Sequence, residues 1–301
     1  MRVAIIGNFD GVHAGHQALL GHARERASSS GDRVVAVTFD PHPAAVLRPD
    51  RAPEGLTSVA RRTELLLQEG ADDVVVLEFT PELASRSPEE FAGMLRDDPR
   101  IAADLVIVGE NFRFGARAAG DTRTLTALGA DLGFEVEALP LVSADQGRDG
   151  GPGAWSSTLV RSAIGEGDLR GAAQILGRPH RLEGVVVRGD QRGRELGYPT
   201  ANVDVIPGMA VPPDGVYAGW LVVEGEAMPA AVSIGTNPQF AGTHRRVEAY
   251  AIDRVDLDLY GAHVGVDLVE RLRGQEVFDS VDGLVEQMAR DVAGARAVLA
   301  G

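Results

Sequence analysis

The sequence contains no cysteine and no lysine in its 301 residues. Without a thiol, the chain can form neither a disulfide framework nor a thiolate metal site, and we expect no redox chemistry by its own side chains. Without lysine, all 29 basic residues are arginine. A cationic side chain that contacts a phosphate must therefore be an arginine fork or a charged histidine, and motifs that need a catalytic lysine are excluded.

Long apolar runs are also missing, and the first residues do not have the pattern of a secretory leader. No apolar run approaches the ~20 residues that a membrane-spanning helix needs. Residues 1 to 20 have neither a basic flank nor a small-residue cleavage site. We therefore expect a soluble, cytoplasmic protein without a membrane partner.

Positive charge is scarce, because the formal net charge is −15 at pH 7. Affinity for a nucleic acid backbone comes from neutralising many phosphates, so this charge opposes a nucleic acid partner. Small phosphorylated substrates remain possible through local sites and Mg²⁺. We expect a monomer or a weak homo-oligomer, and the length fits two domains better than one.

The first part of the chain alternates apolar, β-branched runs with helical patterns. The expected strands are residues 3–6, 33–39, 74–77, 105–108 and 136–139. This alternation predicts an α/β, Rossmann-like domain with a parallel sheet that helices cover on both faces. The two prolines of the segment 40–43 predict a fixed loop, without a helix, after the second strand.

From Leu182 onward the pattern changes to short β segments separated by glycine and proline turns. The expected strands are residues 185–187, 216–223, 230–234, 247–252 and 264–269. They predict a small antiparallel β-barrel, and a helix that Ser280 caps should end the chain against it. We place the domain boundary at residues 178–180, which gives domains 1–180 and 181–301.

The first candidate site is the segment from Gly7 to His16, directly after the first apolar run. A strand that runs into a glycine turn and then a helix points backbone N–H groups at a ligand, which suits a phosphate. Gly7 and Gly11 allow the turn, and Gly15 should let a ligand approach between His13 and His16. The alternative is that the histidines only cap the helix.

Two further segments follow the second and fourth expected strands. Asp40 and His42 lie after the second, and Asn111 and Phe112 lie in the segment 109–115 after the fourth. Because ligands of parallel sheets bind beyond the carboxyl ends of the strands, we expect these segments to share a site with the histidines. For the aromatic rings of 109–115, core packing is the alternative.

A helix with hydroxyls at its start is expected near Ser157 and Thr158. Hydroxyls at a helix start leave N–H groups available, and Arg161, one turn later, can fork onto a phosphate oxygen. The alternative is an ordinary N-cap with a solvent-facing arginine.

The second half of the chain contributes a glycine-rich segment and a carboxylate. Residues 189–202 hold three glycines and then Pro199. On an extended chain Thr200 and Asn202 face the same way, so both oxygens can reach one Mg²⁺. A loop followed by an edge strand is the alternative here. Glu248 lies in an expected strand, where a single glutamate usually faces solvent.

Taken together, these motifs resemble the prokaryotic bifunctional riboflavin kinase/FMN adenylyltransferase (FAD synthetase) family. The resemblance rests on Gly-Asn-Phe-Asp-Gly-Val-His-x-Gly-His at 7–16, Ser-Ser-Thr-x-x-Arg at 156–161 and Gly-x-Pro-Thr-Ala-Asn at 197–202. It covers nearly the whole chain. Leu159 and Tyr250 stand where many members of the family have arginine and histidine.

The resemblance implies two activities and a set of site residues. ATP would phosphorylate riboflavin to FMN in a riboflavin kinase-like barrel, and a nucleotidyltransferase domain would join FMN to a second ATP to give FAD and pyrophosphate. Mg²⁺ is the implied cofactor. The implied catalytic residues are His13, His16 and Glu248. The implied metal ligands are Thr200 and Asn202.

The remaining implied residues contact the substrates of the two domains. In the adenylyltransferase domain the implied ATP-binding residues are Gly7, Phe9, Gly15, Ser157, Thr158 and Arg161. The implied flavin-binding residues of that domain are Asp40, His42, Asn111 and Phe112. In the kinase domain the implied ATP-binding residues are Gly189, Arg192, Gly193, Gly197 and Pro199. The implied flavin-binding residues there are Asn237 and Arg271.

Two other functions stay open from the sequence. One is a different nucleotidyltransferase, acting for example on phosphopantetheine or nicotinamide mononucleotide, with a regulatory barrel. The other is a flavin- or RNA-binding barrel on a degenerate nucleotide domain, which the net charge opposes for RNA.

Overall fold

A computed structural model describes residues 1–29, 31–142, 154–189, 196–236, 245–254 and 257–300. They form two compact units. The first unit comprises residues 1–53 and 59–156, and the second comprises residues 54–58 and 157–301. Within the described ranges, no helix is long and apolar enough to cross a membrane.

The first unit is built on a parallel sheet. Its strands are β1 (Arg2–Ile6), β2 (Arg33–Asp40), β3 (Asp73–Glu78), β4 (Leu105–Gly109) and β5 (Glu135–Leu139). They lie in the order β3-β2-β1-β4-β5, and every pair is parallel. Consecutive residues of β1, such as Ile5 and Ile6, point to opposite faces and belong to separate buried clusters. Both faces are therefore covered, and the expected α/β architecture is confirmed.

Helices connect these strands. They are α1 (Ala14–Arg26), α2 (Pro43–Leu47), α3 (Val59–Gln68), α4 (Pro81–Ser85), α5 (Pro88–Asp97) and α6 (Thr122–Leu132). Short polar side chains cap several of these helices at their starts. Ser87 and Glu90 form a reciprocal capping box before α5, and the carboxylate of Asp121 accepts a hydrogen bond from the backbone N–H of Thr124 (2.8 Å).

The expectation that prolines keep the segment after β2 free of helix is wrong. Pro43 occupies the first turn of α2. Proline is tolerated there, since the first N–H groups of a helix have no partner within it. His42 is the N-cap, and its Nδ1 accepts a hydrogen bond from the backbone N–H of Ala44 (3.1 Å).

The second unit contains a closed antiparallel barrel, as expected. Its strands are β6 (His180–Val187), β7 (Ala201–Val205), β8 (Gly215–Val223), β9 (Glu226–Thr236), β10 (Arg245–Ala251) and β11 (His263–Arg273). They close in the order β10-β7-β6-β11-β8-β9. β7 is not among the strands predicted from sequence. It is short and buries only Val203, so its apolar signal is weak.

In its described residues the second unit also contains the helices α7 (Ser157–Glu166), α8 (Leu169–Leu176) and α9 (Val281–Leu299). Ser280 caps α9 by accepting a hydrogen bond from the backbone N–H of Gly283 (3.1 Å). Ala295 of α9 packs in a buried cluster with Ala218 of β8. The terminal helix therefore covers the barrel, as the apolar periodicity predicts.

A short segment from early in the chain also belongs to the second unit. The backbone N–H of Gly55 donates to the carbonyl of Gly208 (2.7 Å), and the N–H of Ala210 donates to the carbonyl of Gly55 (2.9 Å). The predicted boundary at 178–180 falls at the start of β6, whereas the contacts group α7 and α8 with the barrel. The boundaries of the compact units therefore differ from those of the predicted domains 1–180 and 181–301.

Candidate active sites

The loop after β1 has an unusual backbone. Gly11 has a φ of +82°, and the non-glycine residues Phe9 and Val12 have φ values of +48° and +41°. A left-handed conformation costs of order 1–3 kcal/mol for such residues and persists only where the surroundings enforce it. Here Phe9 is fully buried, and the N–H of Gly7 donates to the carbonyl of Val37 (3.1 Å). Strain of this kind collects at binding sites.

The loop delivers the two histidines to the start of α1. His13 is the N-cap and is buried, but its side chain makes no capping hydrogen bond. Its ring stacks on that of His16, with centroids 3.7 Å apart, and the rings of Phe9 and His16 form a T-shaped contact. Capping alone therefore does not account for this pair.

Gly15 makes this stacking possible. A Cβ at Gly15 would lie 3.1 Å from Cε1 of His13 and 3.6 Å from the carbonyl oxygen of Trp155. We expected the glycine to admit a ligand between the two imidazoles. In the structure the stacked rings leave no space between them, and the His13 ring fills the room beside Gly15.

The surroundings of His16 hold its imidazole neutral. Burial lowers the pKa of His16 well below its usual 6.5, and the charges of His13 and Arg62 lower the pKa further. Its Nδ1 is buried and has no hydrogen-bond partner among the residues that the structure describes. A buried polar atom of this kind points to a ligand or water that satisfies it.

The end of β2 lies against the same loop. Thr38 Oγ1 donates to the carbonyl of Asn8 (3.0 Å), and the side-chain amide of Asn8 lies 3.3 Å from Nε2 of His42. Asp40 is exposed at the carboxyl end of β2. The structure thus brings His42 to the loop that carries the histidine pair, and Asp40 to the same edge of the sheet.

Sequence reasoning missed one residue of this region, Arg62. Its guanidinium Nη1 donates to Thr38 Oγ1 (3.1 Å) and to the carbonyl of Phe39 (2.9 Å), and the side chain is almost completely buried. A signal was present, because Arg62 precedes the buried Leu65 and Leu66 by three and four residues. That spacing places it on the apolar face of α3.

The segment after β4 reaches the same sheet edge, since β4 is the neighbour of β1. The N–H of Phe112 donates to the carbonyl of Gly109 (2.9 Å), which forms a turn. The ring of Phe114 is buried in the core, and Phe112 packs against that core and stacks on Phe114 at 5.6 Å. Core packing therefore accounts for Phe114, while Asn111 is exposed at the edge.

The predicted phosphate-binding residues Ser157, Thr158 and Arg161 belong to the second unit. Ser157 begins α7, as predicted, and Thr158 is exposed. The Nε of Arg161 donates to the carbonyl of Glu54 (2.5 Å). The side chain of Arg161 is therefore oriented by the segment 54–58.

The barrel unit has a pocket of about 700 Å³. Its lining includes these predicted ATP-binding and metal-binding residues: Gly189, Gly197, Pro199, Thr200 and Asn202. Oδ1 of Asn202 is buried and, within the described part of the chain, has no hydrogen-bond partner. A Cβ at Gly189 would lie 2.3 Å from this oxygen. Arg192 and Gly193 lie outside the described residues.

Strand register brings Glu248 to Asn202. Glu248 on β10 lies directly opposite Asn202 on β7 and opposite Ser233 on β9. Residues opposite each other on antiparallel strands have Cβ atoms about 4.5–5.5 Å apart and share a face of the sheet. The neighbours Val247 and Ala249 fill the barrel interior, while the Glu248 side chain is 34% exposed on the outer face.

Ser233 is a second residue that sequence reasoning did not select. Nε2 of Gln275 donates to Ser233 Oγ (3.2 Å) and to the carbonyl of Ile234 (2.9 Å). Nη1 of Arg246, two residues before Glu248 on β10, lies 3.8 Å from Oε1 of Glu248. Asn202, Glu248 and Ser233 thus form a polar row across β7, β10 and β9, which becomes visible only when the pairing of these strands is known.

Of the two predicted flavin-binding residues of the barrel, Arg271 lies in the described part of the chain. The Nη2 of Arg271 donates to the carbonyl of Asp214 (2.8 Å), and its side chain lies against the turn at Gly167. Asn237 is outside the described residues.

In the described ranges no group of three or more His, Asp or Glu side chains could hold a metal. Mg²⁺ needs no such group, because it commonly binds one or two protein oxygens together with substrate phosphates.

Each unit thus has its own polar site at the kind of place where nucleotides bind, and the chain is of the two-domain phosphotransferase class. A family model described as FAD synthetase matches residues 1–149, and one described as riboflavin kinase matches residues 176–299. The chain belongs to the bifunctional riboflavin kinase/FMN adenylyltransferase family.

Relatives along the whole length support this assignment. Proteins named bifunctional riboflavin kinase/FMN adenylyltransferase are 36% identical in Escherichia coli (strain K12), over 98% of this chain and 91% of the relative, and 38% identical in Pseudomonas fluorescens, over 99% and 93%. A crystal structure described as a macrolide-efflux protein from Streptococcus pneumoniae matches with a TM-score of 0.85 at 32% identity, over 98% of this chain and 93% of that chain. The full fold is therefore shared with a solved structure.

Proposed function

We propose that the chain phosphorylates riboflavin to FMN and then adenylylates FMN to FAD, with ATP as the second substrate of both reactions. The observation that carries the proposal is that two family models match successive parts of the chain. The α/β fold in the first part and the barrel in the second each hold a candidate site. A single-activity nucleotidyltransferase with a regulatory barrel would not need the polar row on the barrel strands.

In the barrel, Glu248 acts as the general base. Its carboxylate takes the proton of the riboflavin 5′-hydroxyl as that oxygen attacks the γ-phosphorus of ATP, and ADP leaves. The position of Glu248 opposite Asn202 supports this role, because it places a proton acceptor beside the proposed nucleotide pocket. Gly189, Gly197 and Pro199 line the pocket for ATP, and Arg271 contacts the flavin.

The residues around Asn202 fit Mg²⁺. Asn202 has a buried oxygen that the described residues leave without a hydrogen bond, and the missing Cβ of Gly189 makes room for its amide group. Thr200 and Asn202 would hold the ion, as oxygen ligands suit it. When bound, Mg²⁺ neutralises charge on the phosphates of ATP.

In the first unit, the FMN phosphate attacks the α-phosphorus of ATP and expels pyrophosphate. No covalent intermediate with the enzyme is needed, because the attacking phosphate is already anionic at neutral pH. His13 and His16 donate hydrogen bonds to phosphate oxygens, and the backbone N–H groups at the start of α1 add to this stabilisation. The unpartnered Nδ1 of His16 supports this role.

The other predicted contacts complete this proposal. For Ser157, Thr158 and Arg161 we keep the predicted role of binding ATP phosphates. The flavin-binding residues are Asp40, His42, Asn111 and Phe112. Their support is that the loops after β1, β2 and β4 meet at one edge of the sheet. We place both reactions in the cytoplasm, which a chain without cysteine suits.

The test is to incubate the purified full chain with riboflavin, ATP and Mg²⁺, and to resolve flavins by chromatography over time. We expect FMN to appear first and FAD to follow, and FAD to form directly when FMN is supplied. A parallel reaction with excess EDTA should yield neither product. FAD from FMN without any riboflavin phosphorylation would leave the single-activity alternative, and flavin binding without ATP consumption would favour a non-catalytic barrel.

A further inference from the structure

The first unit contains a buried positive charge that the proposed chemistry has not used. Arg62 lies on the inner face of α3 and is 5% exposed, although arginine is seldom buried unless it is paired. Its two donated hydrogen bonds go to Thr38 Oγ1 and to the carbonyl of Phe39, which are uncharged acceptors. Its Nε is buried and, in the described part of the chain, has no hydrogen-bond partner. Keeping a guanidinium in this place is costly, so a structural account based on these contacts is incomplete.

The contacts of Arg62 lead directly to the loop before the histidine pair. Arg62 Nη1 donates to Thr38 Oγ1, and Thr38 Oγ1 donates to the carbonyl of Asn8. Asn8 lies between Gly7 and the strained Phe9. The guanidinium therefore fixes the end of β2, and through Thr38 it fixes the backbone whose geometry delivers His13 and His16.

The charge of Arg62 acts in the same place. Burial lowers the pKa of Arg62, whereas the carboxylates of Asp10 and Asp40 raise it, so both carboxylates lie within electrostatic reach of the guanidinium. Asp10 is buried, and Asp40 is exposed at the end of β2. A site for FMN and ATP must admit several negative charges next to these two carboxylates. Arginine stays charged at neutral pH and offsets them.

We infer that Arg62 is a positioning residue for FMN adenylylation, whose guanidinium fixes the loop from Gly7 to Asp10 and offsets the two carboxylates where the anionic substrates meet. The inference rests on the proposed function. The effect of Arg62 on His16, whose pKa its charge lowers, agrees with this placement. Arg62 acts through the loop, the histidines and the local potential, and needs no contact with the reacting atoms.

The experiment compares Arg62→Met, which removes the charge and the donors, with Arg62→Lys, which keeps the charge and loses the planar fork. The matched control is Arg33→Met, because Arg33 lies at the opposite end of β2 and is half-exposed in an ion pair with Asp73. Each full-length variant is assayed for kcat and KM in FAD formation from FMN. Riboflavin phosphorylation by the same sample reports that the second unit is intact.

Three results are expected. Arg62→Met lowers kcat/KM for FAD formation about 100-fold, as small misplacements of reacting groups do. Arg62→Lys recovers the KM for FMN and ATP, while kcat stays low because the shorter lysine side chain does not bring its ammonium to the position of Nη1, from which both acceptors are bound. In NMR titrations the pKa of the His16 imidazole rises in Arg62→Met and stays at its native value in Arg62→Lys and Arg33→Met.

Other results overturn the inference. Native kcat/KM in Arg62→Met would remove Arg62 from the reaction. Equal KM values and equal His16 titrations in the Met and Lys variants would show that the charge has no part in it. If Arg62→Met loses the fold of the first unit, Arg62→Lys decides alone, since native kcat there would exclude a positioning role for the guanidinium. If the unaltered chain forms no FAD from FMN, it is the proposed function that fails.

Discussion

The two sites of this chain are assembled in opposite ways. In the first unit, one continuous segment from Gly7 to His16 holds the strained loop, the helix start and both imidazoles. In the barrel, Asn202 and Glu248 come from strands with two further strands between them in the chain, and they meet because β7 and β10 pair in the closed sheet. A local segment fixes the first pair, whereas strand register fixes the second. The residues of a site can therefore lie together in one segment of the sequence, or they can come together only when strands pair.

This difference makes the two sites separable by mutation. Each proposed catalytic side chain belongs to a unit with its own buried core. Substitutions that remove one activity and spare the other would sharpen the comparison. Substitutions that remove both would break it.

The largest effect is expected from Glu248→Gln, which keeps the shape of the side chain and removes the proposed base. Riboflavin phosphorylation should fall about 10²–10⁴-fold, the usual contribution of general base catalysis. FAD formation from supplied FMN should be unchanged, and Glu286→Gln, an exposed change on α9, should alter neither rate. Chromatography of both reactions measures this, and unimpaired phosphorylation would remove Glu248 from its proposed role.

His16→Ala should give the reverse result. Loss of one donor to the developing phosphate charge should slow FAD formation about 10²–10³-fold, so FMN accumulates when riboflavin and ATP are supplied. His22→Ala is the matched control, because His22 lies on the same helix and pairs with Glu137 instead. Loss of both activities in His16→Ala would contradict two separate sites.

A smaller effect is expected from Gly189→Ala. The new Cβ would come 2.3 Å from Oδ1 of Asn202 and must displace that amide. Since disturbing the support of a metal site typically costs about 10-fold or more in affinity, the Mg²⁺ concentration for half-maximal kinase activity should rise by that factor. Gly294→Ala on α9, where a Cβ would make ordinary contacts at 3.7 Å, serves as the control. An unchanged Mg²⁺ titration would argue against Asn202 as a ligand.

The smallest effect concerns pH and the stability of the first unit. The pKa of His16 is lowered in the folded state, so between that pKa and the unfolded value of 6.5 the unfolded chain binds a proton that the folded chain does not. The free energy of unfolding should therefore fall as the pH is lowered below 6.5 and should not depend on His16 above it.

A Trp220→Phe background leaves Trp155 as the fluorescent reporter of the first unit. Urea unfolding at several pH values should show that His16→Gln weakens this dependence. The same slope with and without His16 would mean that its imidazole is not held neutral.

Much of the fold could be predicted from composition along the chain. The five predicted strands of the first unit became β1 to β5. The central strands β1 and β4 are apolar almost throughout because both of their faces are covered, whereas the edge strand β5 is partly exposed. Errors arose where the signal was short. β7 buries only Val203, and the helix that starts at Pro43 was mistaken for a loop because proline stops a helix everywhere except in its first turn.

The site was predictable only in its local parts. The glycine turn with two histidines is visible in the sequence, but the stacking of His13 on His16 depends on how α1 enters from the strained loop. Arg62 reads as one more surface arginine unless the burial of Leu65 and Leu66 on its helix face is known. The hydrogen bonds of Gly55 with Gly208 and Ala210 join residues far apart in the chain, which the apolar periodicity of the sequence cannot predict.

The sequence by itself determined the two-domain plan, the absence of thiol and lysine chemistry, and the motifs that place this chain in its family. These are properties of composition and of residues close together along the chain. Tertiary structure decided that Glu248 stands opposite Asn202, that the His13 ring occupies the space beside Gly15, and that Arg62 is buried beneath the loop. Each of these depends on strand register or on helix packing, which arise from contacts between residues far apart in the chain.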